Sequence, residues 1–282
     1  MSLRLRGASG RWAPRIAAAT LAAIVFVAVA APLVAPYDPV ASGDLVADRL
    51  QPPSARHPLG TDLSARDVAS RLAYGTRISI ETAALAAVVV LVVGVAWGGA
   101  AGLATPAVDA VMMRVVDAAL AMPRLVIVLA LVAFIGRISP LTLALVLGLT
   151  GWPSMSRIVR ARVRELAASD HVAAARALGV PPPRLLVRHV LPGAAPAIVV
   201  HVVVTVAAVI PLEAALSYFG VGIAPPTPSW GSLLQDAAAR PIDGWWLMVF
   251  PSLAIAATLL SVNVIGEYLQ RRDGAGRTGR AA

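Results

Sequence analysis

The chain contains no cysteine and no lysine. Without cysteine there is no disulfide framework, no thiolate nucleophile and no cysteine metal site, and the redox compartment is left unread. Without lysine there is no Gly-x4-Gly-Lys-Ser/Thr loop, so nothing in the sequence hydrolyses ATP by that route. Charge is scarce too. Only 14% of the 282 residues are charged while 58% are hydrophobic, and the mean hydropathy is +0.77. A soluble domain is roughly a quarter charged, so the composition is that of a membrane protein. Also absent are an RNA-binding signature, a zinc-finger spacing and an internal repeat of about 20–50 residues. The net charge of +9 therefore reports orientation in a bilayer rather than nucleic-acid binding.

What is present is a series of apolar runs: Ile16–Val34, Thr82–Leu103, Leu120–Ile135, Leu141–Trp152, Ala194–Ile210 and Trp245–Ile265. The first follows Arg4, Arg6, Arg11 and Arg15 and ends near Ala28-Val29-Ala30, as a cleaved secretory signal would. Its length is instead near the roughly 20 residues that cross hydrocarbon, which favours a retained anchor. The third and fourth runs are too long to be one helix, and Gly136-Arg137-Ile138-Ser139-Pro140 is the expected turn between them.

Six spans are predicted, and the arginines test the count. The N-terminal tail, the segment carrying Arg157, Arg160, Arg162, Arg164, Arg176, Arg184 and Arg188, and the tail carrying Arg271, Arg272, Arg277 and Arg280 are the basic stretches. Under the positive-inside rule all three are cytoplasmic, and four and six crossings satisfy the parity. The connection 35–77 balances five aspartates against five arginines and lacks that bias. Trp230, Trp245 and Trp246 are placed as an outer aromatic belt, and the Arg/Gly stretch after Glu267 reads as disordered.

The basic segment between the fourth and fifth runs carries a short helix with both ends signalled. Ser169 or Asp170 can cap its start, Val172–Leu178 holds four alanines, and Gly179 can take the left-handed conformation before Pro181-Pro182-Pro183 forbids continuation. An amphipathic helix on the inner leaflet is the bland alternative. With Val172 and Leu178 as its only large apolar residues, the segment fits that reading poorly.

Single polar residues in the apolar background have two readings each. Glu213, after a Pro211 expected to interrupt the helix, is either a pathway or partner group at membrane depth, or the cap of a half-helix near water. Arg114 and Asp117 are spaced to pair along one helix face. His171 and His189 flank the short helix and suit a docking or loop-fixing role, whereas His201 in its apolar run suits a buried, hydrogen-bonded one. Gly7-Ala8-Ser9-Gly10 has the Gly-x-Ser-Gly order of intramembrane serine proteases but lies in a basic tail rather than at a span.

Three segments together resemble the permease subunits of binding-protein-dependent ABC importers. The first is the short helix: Ala174, Ala175, Gly179, His189, Leu191 and Pro192 fall at the spacing of that family's Glu-Ala-Ala signature, with Ala173 in place of the glutamate and Gly193 where Asn is usual. The second is His57-Pro58-Leu59-Gly60-Thr61-Asp62 with Arg66-Asp67-Val68 and Arg71–Arg77, where Ala65 replaces a usual Gly. The third is Glu213–Gly220 with Pro225-Pro226-Thr227-Pro228-Ser229-Trp230-Gly231. The last two are similar to the C-type permease of the dipeptide, oligopeptide and nickel branch.

The resemblance implies an all-α, multi-pass protein of the bacterial inner membrane. It implies the type I importer permease fold, six transmembrane helices and both termini in the cytoplasm. Its organisation would be a basic tail 1–15, a first span and extracytoplasmic loop 16–77, a core permease domain 78–270 with coupling loop 157–192, and a tail 271–282. The implied partners are ABC ATPase subunits, a second homologous permease, an extracytoplasmic solute-binding protein and membrane lipid, and not nucleic acid. Ala173, Ala174, Ala175, Gly179, His189, Leu191 and Pro192 would couple to the ATPases, and Glu213 and Trp230 would serve the pathway or an outer gate. No catalytic, cofactor or metal residue is expected, and ATP hydrolysis falls to the partners. Peptide is the default solute, with nickel or another small solute as options. The rival readings are a passive channel or scaffold and an intramembrane enzyme. The former gives the short helix no purpose, and the latter needs a cluster of carboxylates, His or a nucleophile at one depth that the sequence does not show.

Overall fold

A computed structural model describes residues 12–239 and 241–278. Ten α-helices follow in order: α1 Ala13–Val34, α2 Val68–Leu103, α3 Pro106–Ala121, α4 Arg124–Ile135, α5 Pro140–Ala167, α6 Asp170–Ala177, α7 Pro182–Leu185, α8 Leu191–Tyr218, α9 Trp230–Ala238 and α10 Trp245–Thr278. A π-helical turn, Leu186–Val190, joins α7 to α8. Among the described residues the only β pairing is an isolated bridge between Thr61 and Asp67. The Gly7–Gly10 stretch lies outside the described residues.

Among the described residues four helical stretches are long and apolar enough to cross a membrane: Ala13–Val34, Val68–Leu103, Pro182–Tyr218 and Trp245–Arg272. A fifth is reached if α3 and α4, bent by 80° against each other, count as one broken span. Met122 is extended at the break because the ring of Pro123 disfavours the helical conformation in the residue before it. The run expected to be one continuous third span from Leu120 is therefore interrupted. The expected fourth span, Leu141–Trp152, lies inside α5, whose apolar part stops before Arg157, Arg160, Arg162 and Arg164. The turn between the two is where it was expected, with Gly136 at φ +80 and Pro140 opening α5.

Two other expectations are corrected. Pro211 does not break the helix after the fifth apolar run, since α8 continues through it to Tyr218; a single proline removes one ladder bond and need not end a well-packed helix. The stretch after Glu267 is helical as far as Thr278, which carries α10 beyond Arg271. Glu267, Leu269, Gln270, Arg271 and Arg272 are good helix formers, and Arg271 Nη2 donates to Glu267 one turn back at 3.3 Å.

The described chain divides into two compact units, one of residues 12–84, 132–144 and 207–265 (240 excepted), the other of residues 85–131, 145–206 and 266–278. In the first, the connection 35–67 folds over a small core of Val68, Ala237, Trp246 and Leu247, with Leu50, Leu59 and Phe250 against it. Its polar centre is Asp62, which accepts from the backbone N–H groups of Ser64 and Arg66, from Arg66 Nε at 2.7 Å and from the guanidinium of Arg71. Asp236 on α9 takes Arg71 Nη1 at 2.6 Å and Arg66 Nη2 at 3.2 Å. Ala65 holds φ +56, a left-handed conformation that favours glycine.

In the second unit, Gly94, Gly98 and Gly102 form a stripe on α2 facing α5. A Cβ on Gly94 would lie 2.5 Å from Met155 Cγ, one on Gly98 would strike the Ser156 carbonyl, and one on Gly102 would lie 2.6 Å from Val163 Cγ1. Small residues four apart let helix backbones approach where the bilayer offers no hydrophobic drive of its own. At the far end of α5, Arg160 and Arg164 both bond Asp109 in the first turn of α3, Arg164 Nη2 at 2.6 Å. Asp117 pairs with Arg157 on α5 rather than with Arg114, which corrects the expected intrahelical pair.

Candidate functional site

The short helix α6 is seated by two residues. Val172 and Ala175 turn into the core of the second unit, against Val159 and Val163 of α5 and Leu185 and Val190 beyond the loop. Residues three apart share a helix face, so one side holds the seat and the other is presented. His171, Ala173, Ala174, Arg176, Ala177, Leu178 and Gly179 are exposed, Leu178 at 85%.

Both helix ends are closed locally. Ser169 stands at the N-cap, but its side chain makes no capping bond; its hydroxyl donates to the Leu166 carbonyl at 2.5 Å and lies 3.1 Å from His171 Nδ1. Side-chain capping by Ser169 is thus not realised, because the preceding turn takes the hydroxyl. At the C-terminus Gly179 N–H donates to Arg176 O at 3.0 Å and Val180 N–H to Ala175 O at 3.2 Å, with Gly179 at φ +80. This is the two-bond Schellman arrangement, as the glycine and the prolines after it led us to expect.

The remaining residues of the coupling set lie just beyond. His189 is half-buried within the π turn, Leu191 is half-buried at the start of α8 and Pro192 is exposed. Pro192 cannot donate to the carbonyl of Arg188 and its ring crowds that group, which accounts for the widened turn before it. Of the seven residues singled out from the sequence, Ala173, Ala174, Gly179 and Pro192 are presented outward, while Ala175 is part of the seat.

Glu213 and Trp230 meet in the first unit, deep inside it. Glu213 is 0% exposed and accepts from Ser79 Oγ and Ser217 Oγ, each at 3.0 Å. Ser79 Oγ in turn accepts the Trp230 backbone N–H at 3.2 Å, and the indole Nε1 donates to Thr76 Oγ1 at 3.0 Å. Trp230 is also 0% exposed. It begins α9, whose capping box pairs Ser229 with Ser232, and a Cβ on the neighbouring Gly231 would strike the Ala214 carbonyl. Glu213 is therefore a sealed carboxylate linking α2, α8 and the start of α9, not the cap of a half-helix near water. The expected aromatic belt is corrected as well. Trp230 is interior, and Trp246 is 3% exposed with its Nε1 on the Thr61 carbonyl at 3.1 Å; Trp245 is half exposed. His201 is half-buried rather than buried, and no hydrogen bond to its ring is seen among the described residues.

Sequence reasoning missed the glycine stripe of α2, although its i, i+4 spacing within an apolar run is a readable helix-packing signal. It also missed Asp109 and the Asp62–Arg71–Asp236 cluster, whose partners are far apart in the chain. Among the described residues no group of three or more His, Cys, Asp or Glu is placed to hold a metal ion.

Long apolar helices, with one short helix seated on the chain's own core by Val172 and Ala175 and exposed on its other face, define an integral membrane protein. Residues 94–272 match the family described as binding-protein-dependent transport system inner membrane component. The chain is 35% identical over 244 residues to the dipeptide transport system permease protein DppC of Bacillus subtilis (strain 168), covering 86% of this chain and 75% of that one. It is 36% identical over 247 residues to the oligopeptide transport system permease protein OppC of the same organism, covering 88% and 80%. The di/tripeptide transport system permease protein DppC of Pseudomonas aeruginosa (strain UCBPP-PA14) is 34% identical over 253 residues, covering 88% and 82%. The chain belongs to the family of inner-membrane components of binding-protein-dependent transport systems. It is a multi-pass, membrane-embedded transport subunit of the bacterial inner membrane.

Proposed function

We propose that this chain forms half of the translocation pathway of a peptide importer and couples it to ATP hydrolysis by partner ATPases. A second homologous permease supplies the other half, and an extracytoplasmic binding protein delivers the solute. The chain crosses the membrane six times with both tails inside, α5 and the bent α3–α4 pair each contributing one crossing. The proposed organisation is a basic tail 1–15, a first span with its outer loop 16–77, a permease core 78–270 containing the coupling loop 157–192, and a tail 271–282. The arginine parity supports the orientation, and the relatives' names support the peptide solute.

The observation that carries the coupling role is the division of α6 into a seated face and a presented face. Motion imposed on Ala173, Ala174, Ala177 and Leu178 by an ATPase passes through Val172 and Ala175 into α5 and α8, because close-packed side chains transmit displacement instead of absorbing it. Alanine at 173 in place of glutamate leaves docking to shape rather than to a charge-assisted contact. Glu213 and Trp230 serve the outer gate by fixing α9 to α2 and α8; their burial favours positioning over contact with solute.

Ala174→Arg tests the coupling role. Ala174 is exposed in the chain alone, so the arginine is accommodated there, whereas in a packed contact an unpaired charge costs about 3–5 kcal/mol. Co-purification of the ATPases should fall at least a hundredfold, with membrane expression unchanged. On a helix that merely lay on anionic lipid, the same arginine would strengthen attachment by about 1 kcal/mol. Full assembly by the variant refutes the assignment.

A further inference from the structure

Arg124 opens α4, directly after the break at Met122 and Pro123. Its Nη2 donates to the Leu147 carbonyl at 2.7 Å and its Nε to Thr150 Oγ1 at 3.4 Å. The Thr150 hydroxyl donates in turn to the Val146 carbonyl at 2.8 Å. Gly151 makes room for the guanidinium, since a Cβ there would lie 3.0 Å from Nη2.

Among the described residues no carboxylate lies within ion-pair distance of Arg124. The contrast within the same unit is clear: Arg157 is paired with Asp117, and Arg160 and Arg164 with Asp109. At 1.5 Å per residue Thr150 lies about 13 Å along α5 from Leu141 and about 10 Å from Arg157. That is near the middle of a hydrocarbon core about 30 Å thick. A cation at such depth is costly unless it pairs or faces a watery path, and in secondary transporters broken helices are where solute-binding groups lie. One carbonyl and one hydroxyl satisfy two N–H groups but leave the charge uncompensated. A guanidinium has five N–H donors in a planar fork that fits a carboxylate. Arg124 is only half-buried, and its Nη1 makes no hydrogen bond among the described residues.

We propose that Arg124 receives a carboxylate of the transported solute during passage. This deepens the peptide reading above and rests on it, since a peptide carries a terminal carboxylate that is ionised at neutral pH.

The native chain lacks cysteine, so Met122→Cys places a single thiol in the break, beside Arg124 and 58% exposed before substitution. With the full transporter in membranes, modification rates by an anionic and a cationic methanethiosulfonate are compared. A nearby unpaired cation should make the anionic reagent react about tenfold faster. Adding Arg124→Gln should bring the ratio to about one, while Arg124→Lys keeps most of it. Millimolar dialanine with a free carboxylate should slow the reaction, and its C-terminal amide should not.

A ratio near one in the parent, no reaction with either reagent, or equal protection by acid and amide overturns the proposal. So does a ratio that rises only when the second permease is omitted, which would mean that a partner carboxylate occupies Arg124. Failure of the peptide-importer reading is read separately in the same preparation, as absence of co-purifying ATPases.

Discussion

Replacing Trp230 with alanine separates a packing role from a surface role. The indole is fully buried and one of the largest such side chains in the protein, with its Nε1–H held by Thr76 at 3.0 Å. A tryptophan buries about 150–250 Å², worth about 4–6 kcal/mol at 25 cal/mol per Å². Measured truncations of large aromatics cost about 3–5 kcal/mol. The lost indole bond adds about 1 kcal/mol. For a chain of this size, a loss of about 4 kcal/mol moves the thermal midpoint down by on the order of 10 °C. Trp230→Phe keeps most of the apolar area and forfeits the hydrogen bond, so its midpoint should fall by about 2–4 °C. The assay is size-exclusion of the tagged, detergent-solubilised chain after heating, alongside uptake in reconstituted membranes. If Trp230→Ala retained the parental midpoint yet lost uptake, the ring would act outside the packing described here, and the positioning role of Trp230 would be wrong.

Two glycines on different helices should respond oppositely to alanine. Gly98→Ala drives a methyl into the Ser156 carbonyl and Val159, and overpacking of about 1–3 kcal/mol outweighs the roughly 1 kcal/mol gained in helix propensity, so the midpoint falls. Gly266→Ala meets only Val203 Cγ1 at 3.5 Å, and should stabilise by about 0.5–1 kcal/mol in the same heating assay. Glu213→Leu strands the hydroxyls of Ser79 and Ser217 and should cost about 1–3 kcal/mol, whereas Glu213→Gln, which can still accept, should cost less; equal losses would show that the hydrogen bonds are not what matters. For orientation, Val46→Cys (92% exposed) should react with an impermeant maleimide in intact cells and Leu178→Cys (85% exposed) should not, and the reverse pattern would refute the proposed topology.

The short helix α6 was legible because its determinants are local. The alanines, Gly179 and three prolines lie within eleven residues, 173–183, and each acts on the backbone around it, whereas the capping read from Ser169 fails because its hydroxyl bonds the turn before. The turn at Gly136–Pro140 was legible for the same reason. Prolines were misjudged in both directions: Pro123 breaks a run read as continuous and Pro211 leaves α8 unbroken, and the difference is made by packing that a proline does not report. Trp230 and Trp246 were placed by residue type at an interface, whereas contacts with Thr76 and Thr61, far away in the chain, put them inside. Asp109 finds its arginines some fifty residues on, and no pattern around Asp109 announces them. The replacement at Ala65 was noticed in the sequence, but only the φ of +56 shows what it means. The usual glycine fits that conformation, and alanine holds it under strain.

The π turn before Pro192 makes the facing of α6 a matter of counting. Each residue advances an α-helix by about 100°, and the widened turn stores one residue more than an α-helical ladder would use. A change of side chain at 186–190 alters contacts but leaves this phase intact. Gaining or losing a single residue there would swing the loop bearing α6 around the axis of α8 by a large fixed step. The orientation of the presented face is thus set in discrete positions, and Pro192, by refusing one hydrogen bond, marks which position this chain occupies.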